Sequence, residues 1–326
     1  MSPILLSLVP RKLVKASIPV GTSWLLGSCM EARGKQDLWL RQKPELLEVL
    51  REQAIIQSVE SSNRIEGVTI PTERLRPVVL GKEKPRDRSE EELAGYRQAL
   101  DWIFSRKLRV SIVPTLIQRI HAMSQRFVPT SARDTPKTME ALCRNYREAC
   151  NEERIPPLLI VATFVFDLLC IHPFRDGNGR VSRLTTTLLL QAHGFLVSRY
   201  VSLERLIEHN KDEYYDVLAE CSRGWHEGKS ELVPWWTFFL SILRRAYKEF
   251  ERQVESVAAR PAKSDLIRKN VLGQVQQFTL GDLASQMPAA STQLIKKVLG
   301  ELKKQGRVRL VGRGRGARWE IIPQEK

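Results

Sequence analysis

Residues 157–183 read PLLIVATFVFDLLCIHPFRDGNGRVSR, and the fold is decided in this stretch. From 157 to 171 the only charged residue is Asp167, so the segment is apolar almost all round, the pattern of a helix enclosed by other helices. At Gly177, Asn178 and Gly179 the chain turns. A second helix is expected from about 178 to 192, stopped by Gly194. An enclosed helix, a glycine turn and a returning helix point to an all-α body.

Composition supports a globular chain. The 326 residues are 42% hydrophobic and 27% charged, and their length suggests two domains, or one large domain with an appendage. The apolar stretch contains Asp167 and falls short of the ~20 residues a membrane span needs, so no membrane partner is expected. At the start, MSPILLSLVPRKLVKA places its apolar run before its basic residues and interrupts it with Pro10, unlike a secretory signal. Cys29, Cys143, Cys150, Cys170 and Cys221 form no CxxC pair, which suits reduced thiols in a cytoplasmic protein.

Outward from the central stretch, 1–42 carries Pro10, Pro19 and Gly21 and reads as an extended N-terminal arm. A helix from 44 to about 62 places Leu46, Leu47, Leu50, Ala54, Ile55 and Val59 on one stripe. The Pro-rich, charged segment 68–89 reads as an exposed connection. A helix opening at Ser89 and its three glutamates turns Leu93, Tyr96, Leu100, Trp102 and Ile103 inward. Helices are expected over 114–125, where His121 reads as a packed core histidine, and over 138–152, 203–221 and 234–258. Arg260, Pro261 and Ala262 mark a boundary, giving a body at 43–258 and a tail domain at 263–326.

The turn carries the chemistry. A glycine-rich turn opening a helix presents backbone N–H groups and a positive dipole end to an anion, and Arg180 and Arg183 in the first turns are placed to reach further phosphate oxygens. Asp176 is positioned for a hard cation, Mg²⁺, shared with substrate phosphates. His172 ends the enclosed helix and is a candidate general base near neutral pH. Together these residues describe phosphoryl-type transfer onto a hydroxyl.

HPFRDGNGR with Arg183 three residues on resembles the signature of the Fic family, HxFx(D/E)GN(G/K)RxxR, at every specified position. The resemblance implies a Fic-type helical bundle over roughly 43–258 and transfer of AMP from ATP to a Ser, Thr or Tyr hydroxyl of a protein, this chain itself included. It implies that His172 takes the hydroxyl proton, Asp176 holds Mg²⁺, the Gly177, Asn178 and Gly179 amides cradle phosphates, and Arg183 holds the γ-phosphate. Phe174 reads as a core anchor of the turn. Gly179, where related kinases carry Lys, resembles the nucleotidyl-transferring branch. Upstream, Ser62-Asn63-Arg64-Ile65-Glu66-Gly67 resembles the family's inhibitory pattern (S/T)xxxE(G/N), implying that Glu66 pairs with Arg183 and displaces the γ-phosphate, while Gly67 also suits a helix C-cap. A hydrolytic alternative has Glu66 orient a water that removes AMP from a modified target. The β-hairpin flap usual in the family has no visible segment between Gln125 and Arg126.

From 261 to 326, thirteen Lys and Arg stand against five Asp and Glu, a net +8 of the chain's +15. Helices over 265–277, from a Thr279 cap and from Ser291 to Lys304, followed by two strands around GRGRG, resemble a winged helix-turn-helix (α+β) domain. Lys296, Lys297, Arg313, Arg315 and Arg318 are its candidate contacts to double-stranded DNA. Such domains also dock proteins, so a DNA-binding regulator whose body senses nucleotide or modifies itself is the alternative to an enzyme.

Overall fold

In the computed structural model, residues 6–41, 44–105, 111–124, 135–258, 263–272, 277–287, 290–312 and 317–322 are described. The chain divides into two compact units, Met1–Arg252 and Gln253–Lys326. The first is built from α1 (Pro10–Leu13), α2 (Val20–Leu40), α3 (Pro44–Ile65), α4 (Thr72–Val79), α5 (Arg88–Ser105), α6 (Pro114–Ser124), α7 (Thr135–Cys150), α8 (Pro157–Ile171), α9 (Asn178–Ala192), α10 (Leu203–Glu208), α11 (Lys211–Ser222) and most of α12 (Val233–Ala258). No helix among the described residues is long and apolar enough to cross a membrane.

Helix α8 is the axis of this unit. Every residue from Leu158 to Leu168 is buried, as its unbroken apolar sequence requires. Its middle turn is gripped by α12, where the Trp235 indole N–H donates to the Ala162 carbonyl at 2.7 Å and that of Trp236 to the Thr163 hydroxyl at 3.0 Å. Burying an aromatic side chain of this kind stabilises by about 3 kcal/mol, so α8 and its partners hold the bundle's core.

Two stretches differ from their reading in sequence. The expected extended arm instead forms the 21-residue helix α2. Thr22, Cys29, Gln36 and Trp39 bury one face of it, and this inward stripe outweighs the glycines and the Pro19 that argued against a helix. The 68–89 connection contains α4, whose Pro77 and charges concealed an amphipathic turn with Arg74, Leu75, Val78 and Val79 buried. The Arg74 guanidinium makes a bidentate pair with Glu90 of α5 at 2.8 and 2.7 Å, pairs with Glu83, and so fixes α4 on the body. Smaller differences follow the same logic. Trp102 is half-buried under the Arg119 guanidinium, 4.9 Å from its ring, and 203–221 is broken at His209–Asn210 into α10 and α11. Of the cysteines, Cys29, Cys143 and Cys221 are buried and all five are free.

The second unit, beyond the end of α12, contains α13 (Lys263–Leu272), α14 (Leu280–Gln286), α15 (Thr292–Lys304) and the antiparallel pair β1 (Val308–Val311) and β2 (Arg318–Ile321). Thr279 and Asp282 form a reciprocal capping box on α14, and the Ser291 hydroxyl accepts the Leu294 N–H on α15. Ile267, Val271, Phe278, Leu283, Ile295 and Val298 are among its small core. Phe278 exchanges two backbone hydrogen bonds with Trp319, adding a one-residue bridge to the hairpin. The expected boundary at 260–262 lies outside the described residues.

The Arg74–Glu90 pair gives the fold a pH signature. The guanidinium hydrogen bonds hold the Glu90 carboxyl down at about 2, against burial, with the Arg86 backbone N–H adding to them. A carboxylate depressed in the folded state stabilises above its unfolded value of about 4.5, and that stability is lost as pH falls toward 2. Thermal melts should therefore show Glu90→Gln less stable than the parent at neutral pH, with the gap closing between these limits. A constant gap would contradict the assignment.

Candidate active site

The enclosed helix delivers its C-cap residue with the backbone in an uncommon state: His172 has φ 51° and ψ 57°, the left-handed region, the only positive φ of a non-glycine among the described residues. Such a backbone costs roughly 1–2 kcal/mol and persists where the surroundings over-determine it. Here they do. The Asn178 side chain clasps Phe174, accepting its N–H at 3.0 Å and donating to its carbonyl at 2.6 Å. The Phe174 ring lies face to face with His121 of α6, centroids 3.9 Å apart. His121 Nε2 in turn donates to the Asp176 carbonyl at 3.1 Å, since a carbonyl only accepts. His121 is thus the packed histidine that its helix suggested, and it also staples the loop, a role its local sequence gave no sign of.

Gly177 turns into α9 with φ 79°, a conformation that only glycine adopts freely. Its N–H is donated to Asp176 Oδ1 at 2.7 Å. The first N–H groups of α9 have no carbonyl within the helix to bond, which leaves this end electropositive. The Asp176 side chain is 57% exposed, at the mouth of the turn. One accessible carboxylate beside an anion-binding helix end fits Mg²⁺, which combines one or two carboxylates with substrate phosphates. Among the described residues no cluster of three or more His, Cys, Asp or Glu suits a metal held by protein alone.

The two arginines part company. Arg180 is turned largely inward, with its Nη2 3.8 Å from Asp176 Oδ2. It is 2% exposed, and its Nη1 donates to Asn63 of α3 at 3.2 Å and to Glu92 of α5 at 2.5 Å, with partners 117 and 88 residues away that the local sequence could not reveal. Arg183 lines the cavity. Its Nε donates to the Ser62 hydroxyl and its Nη2 to both the Ser62 carbonyl and Glu66 Oε1, each at 2.8 Å. Burial opposes its charge, but Glu66, Tyr214 and Tyr96 outweigh burial and raise its pKa. Tyr214 itself is pushed up to about 12 by burial, against the pull of Arg183.

Glu66 reaches Arg183 because of how α3 ends. The helix runs on to Ile65, past the expected stop near 62, and closes when the Gly67 N–H bonds the Arg64 carbonyl and the Val68 N–H that of Asn63, both at 3.0 Å. The carboxylate then lies against α9 at Gly179, where a Cβ would fall on its oxygen. Glu66, Gly179, Arg183 and His172 share one open cavity of about 560 Å³, closed on its other sides by residues that include Tyr215 and Trp225. The tyrosine pair and Trp225 were not singled out in sequence, for nothing at 214–225 resembles a binding motif.

The 125–134 segment, which includes the place of a flap, lies outside the described residues. In the C-terminal unit Lys296, Lys297 and Arg318 are exposed, while Arg313 and Arg315 also lie outside them.

Residues 97–190 match the model of the Fic/DOC family. A curated relative, the protein adenylyltransferase Fic of Nematostella vectensis, is 27% identical over 199 residues, which cover 53% of this chain and 44% of the relative. A Fido domain-containing protein of Dictyostelium discoideum is 30% identical over 93 residues, 28% of this chain and 61% of its own length. The chain thus spans less than two thirds of either relative. Among solved structures, a Fic family protein from Desulfovibrio desulfuricans superposes with a TM-score of 0.61 at 20% identity, covering 98% of this chain and 99% of that one. Fic-1 of C. elegans superposes with a TM-score of 0.56 at 22% identity over 71% of each. Residues 97–190 thus match a Fic/DOC family domain, and the superpositions show a shared fold.

Proposed function

We propose that the protein transfers AMP from ATP to a Ser, Thr or Tyr hydroxyl of a protein target, and that Glu66 restrains it. The carrying observation is the 2.8 Å pair between Arg183 and Glu66 inside the cavity that also holds His172. The Nematostella relative's name, protein adenylyltransferase, supports the same reaction. In this reading His172 accepts the proton of the target hydroxyl, the hydroxyl oxygen bonds to the α-phosphorus, and the bond from that phosphorus to the bridging oxygen breaks, releasing pyrophosphate. The first amides of α9 hold phosphate oxygens and Asp176 holds Mg²⁺, which when bound neutralises phosphate charge. Arg183 takes the third phosphate once Glu66 withdraws. Asn178 and Arg180 serve the reaction indirectly, as clasps of the turn and of α3.

Glu66, with its side chain 29% exposed beside His172, also supports the hydrolytic direction, in which its carboxylate orients a water against AMP already attached. Separately, the C-terminal unit, with the winged helix-turn-helix taken as 263–326, supports a double-stranded DNA partner. On α15 the buried Ile295, Val298, Leu299 and Leu302 turn Lys296, Lys297, Lys303 and Lys304 to solvent, the arrangement of a groove-entering helix.

Four outcomes follow. Glu66→Gly should raise incorporation of labelled AMP by about ten- to a hundredfold, the worth of a hydrogen bond to a buried charge; equal labelling of parent and variant would remove the restraint claim. In that background His172→Ala should lower incorporation by about 10²- to 10⁴-fold, as loss of a general base does, and undiminished labelling would contradict its role. Release of AMP from a pre-modified target by the unsubstituted chain would favour hydrolysis. The full chain should shift duplex DNA with a steep salt dependence that Lys296→Glu with Lys297→Glu flattens, whereas no shift at low salt would exclude the DNA reading.

A further inference from the structure

Asp167 is the one charged residue of α8, five positions before His172, and it is fully buried. Neither of the cations that organise the active site touches it. Its Oδ1 accepts the Ser7 N–H at 3.0 Å and the Trp225 indole N–H at 2.8 Å, and its Oδ2 accepts the Leu8 N–H at 2.7 Å. Burial pushes its pKa up against these donors. A carboxylate taken out of water at this cost is retained for what it joins.

What it joins is the N-terminal segment and the cavity wall. Leu6 and Leu8 are buried, and the Leu8 carbonyl accepts from Asn145 of α7 at 2.8 Å, so residues 6–8 are strapped across α7 and α8. Trp225 lies in a single tight turn between Gly224 and Gly228 and lines the same cavity as His172 and Arg183. Trp225 is only 2% exposed, and the carboxylate bonds the N–H edge of its indole.

We propose that Asp167 is a positioning residue for the nucleotide cavity: with Ser7 and Leu8 as its outer partners it clamps Trp225 in place as the wall against which the nucleotide binds. The proposal rests on the nucleotide-transfer reading of the cavity. Because His172 and Arg183 are not touched by the clamp, its loss should weaken nucleotide binding and leave turnover of bound nucleotide near the parent rate.

The test measures ATP affinity by calorimetry, and KM and kcat for AMP transfer, in full-length Glu66→Gly protein. Asp167→Asn keeps the shape but sets an amide N–H against one of the three donors, and Trp225→Phe removes the indole donor alone. Each should weaken ATP binding and raise KM by about tenfold, the loss of roughly one hydrogen bond to a charged group, with kcat within about twofold of the parent. The double variant should lose more than either single one, since the asparagine amide is set against Leu8, the lone donor on Oδ2, whereas Trp225→Phe breaks the contact at Oδ1. Asn145→Ala, which loosens the strap without altering any cavity residue, should weaken ATP binding in the same direction and decides the matter if Asp167→Asn fails to fold. An unchanged ATP affinity with a lowered melting temperature would reduce Asp167 to a clasp of the fold and overturn the proposal. A parent that binds no ATP would instead overturn the nucleotide reading, and this inference with it.

Discussion

A buried guanidinium needs acceptors, and most of the active-site geometry answers that need at Arg183. Leaving such a charge uncompensated costs about 3–5 kcal/mol. Ser62 supplies two acceptors from the last turns of α3, and Glu66 supplies the third from just beyond its end. For Glu66 to arrive, α3 has to close at Gly67 and α9 has to carry no side chain at Gly179. The Ser62 contacts are part of the fold. The Glu66 contact stands at the cavity, and the proposed restraint rests on that difference.

Arg180, one turn earlier, shows the other solution. Asn63 and Glu92 hold it within the protein, so it ties α3 and α5 to the start of α9, with Asp176 3.8 Å from its Nη2. With the His121–Phe174 stack and the Asn178 clasp, it fixes the turn that presents His172. Neighbouring residues of one motif are thus divided between holding the loop and facing the cavity.

That division explains how much was legible in the sequence. Helices α8 and α9 were read to their observed ends because an unbroken apolar run and a glycine turn are strong local signals. The pairing of Glu66 with Arg183 came from a motif and has the expected geometry in the structure. Helices α2 and α4 were missed because glycines and prolines, which lower helix propensity, were overruled by burial against distant elements. The inward partners of Arg180 were illegible for the same reason: they lie 117 and 88 residues away. The Asp167 clamp was invisible, since its donors come from both ends of the first unit and two of them are backbone groups.

The central claim is that Glu66 occupies the place of a third phosphate at Arg183. Calorimetric affinities for ATP and ADP, measured side by side on the unsubstituted chain and on Glu66→Gly, test it most directly. The account predicts that the unsubstituted chain binds ATP no better than ADP and that the variant prefers ATP. An unsubstituted chain that already prefers ATP as strongly as the variant does would contradict it.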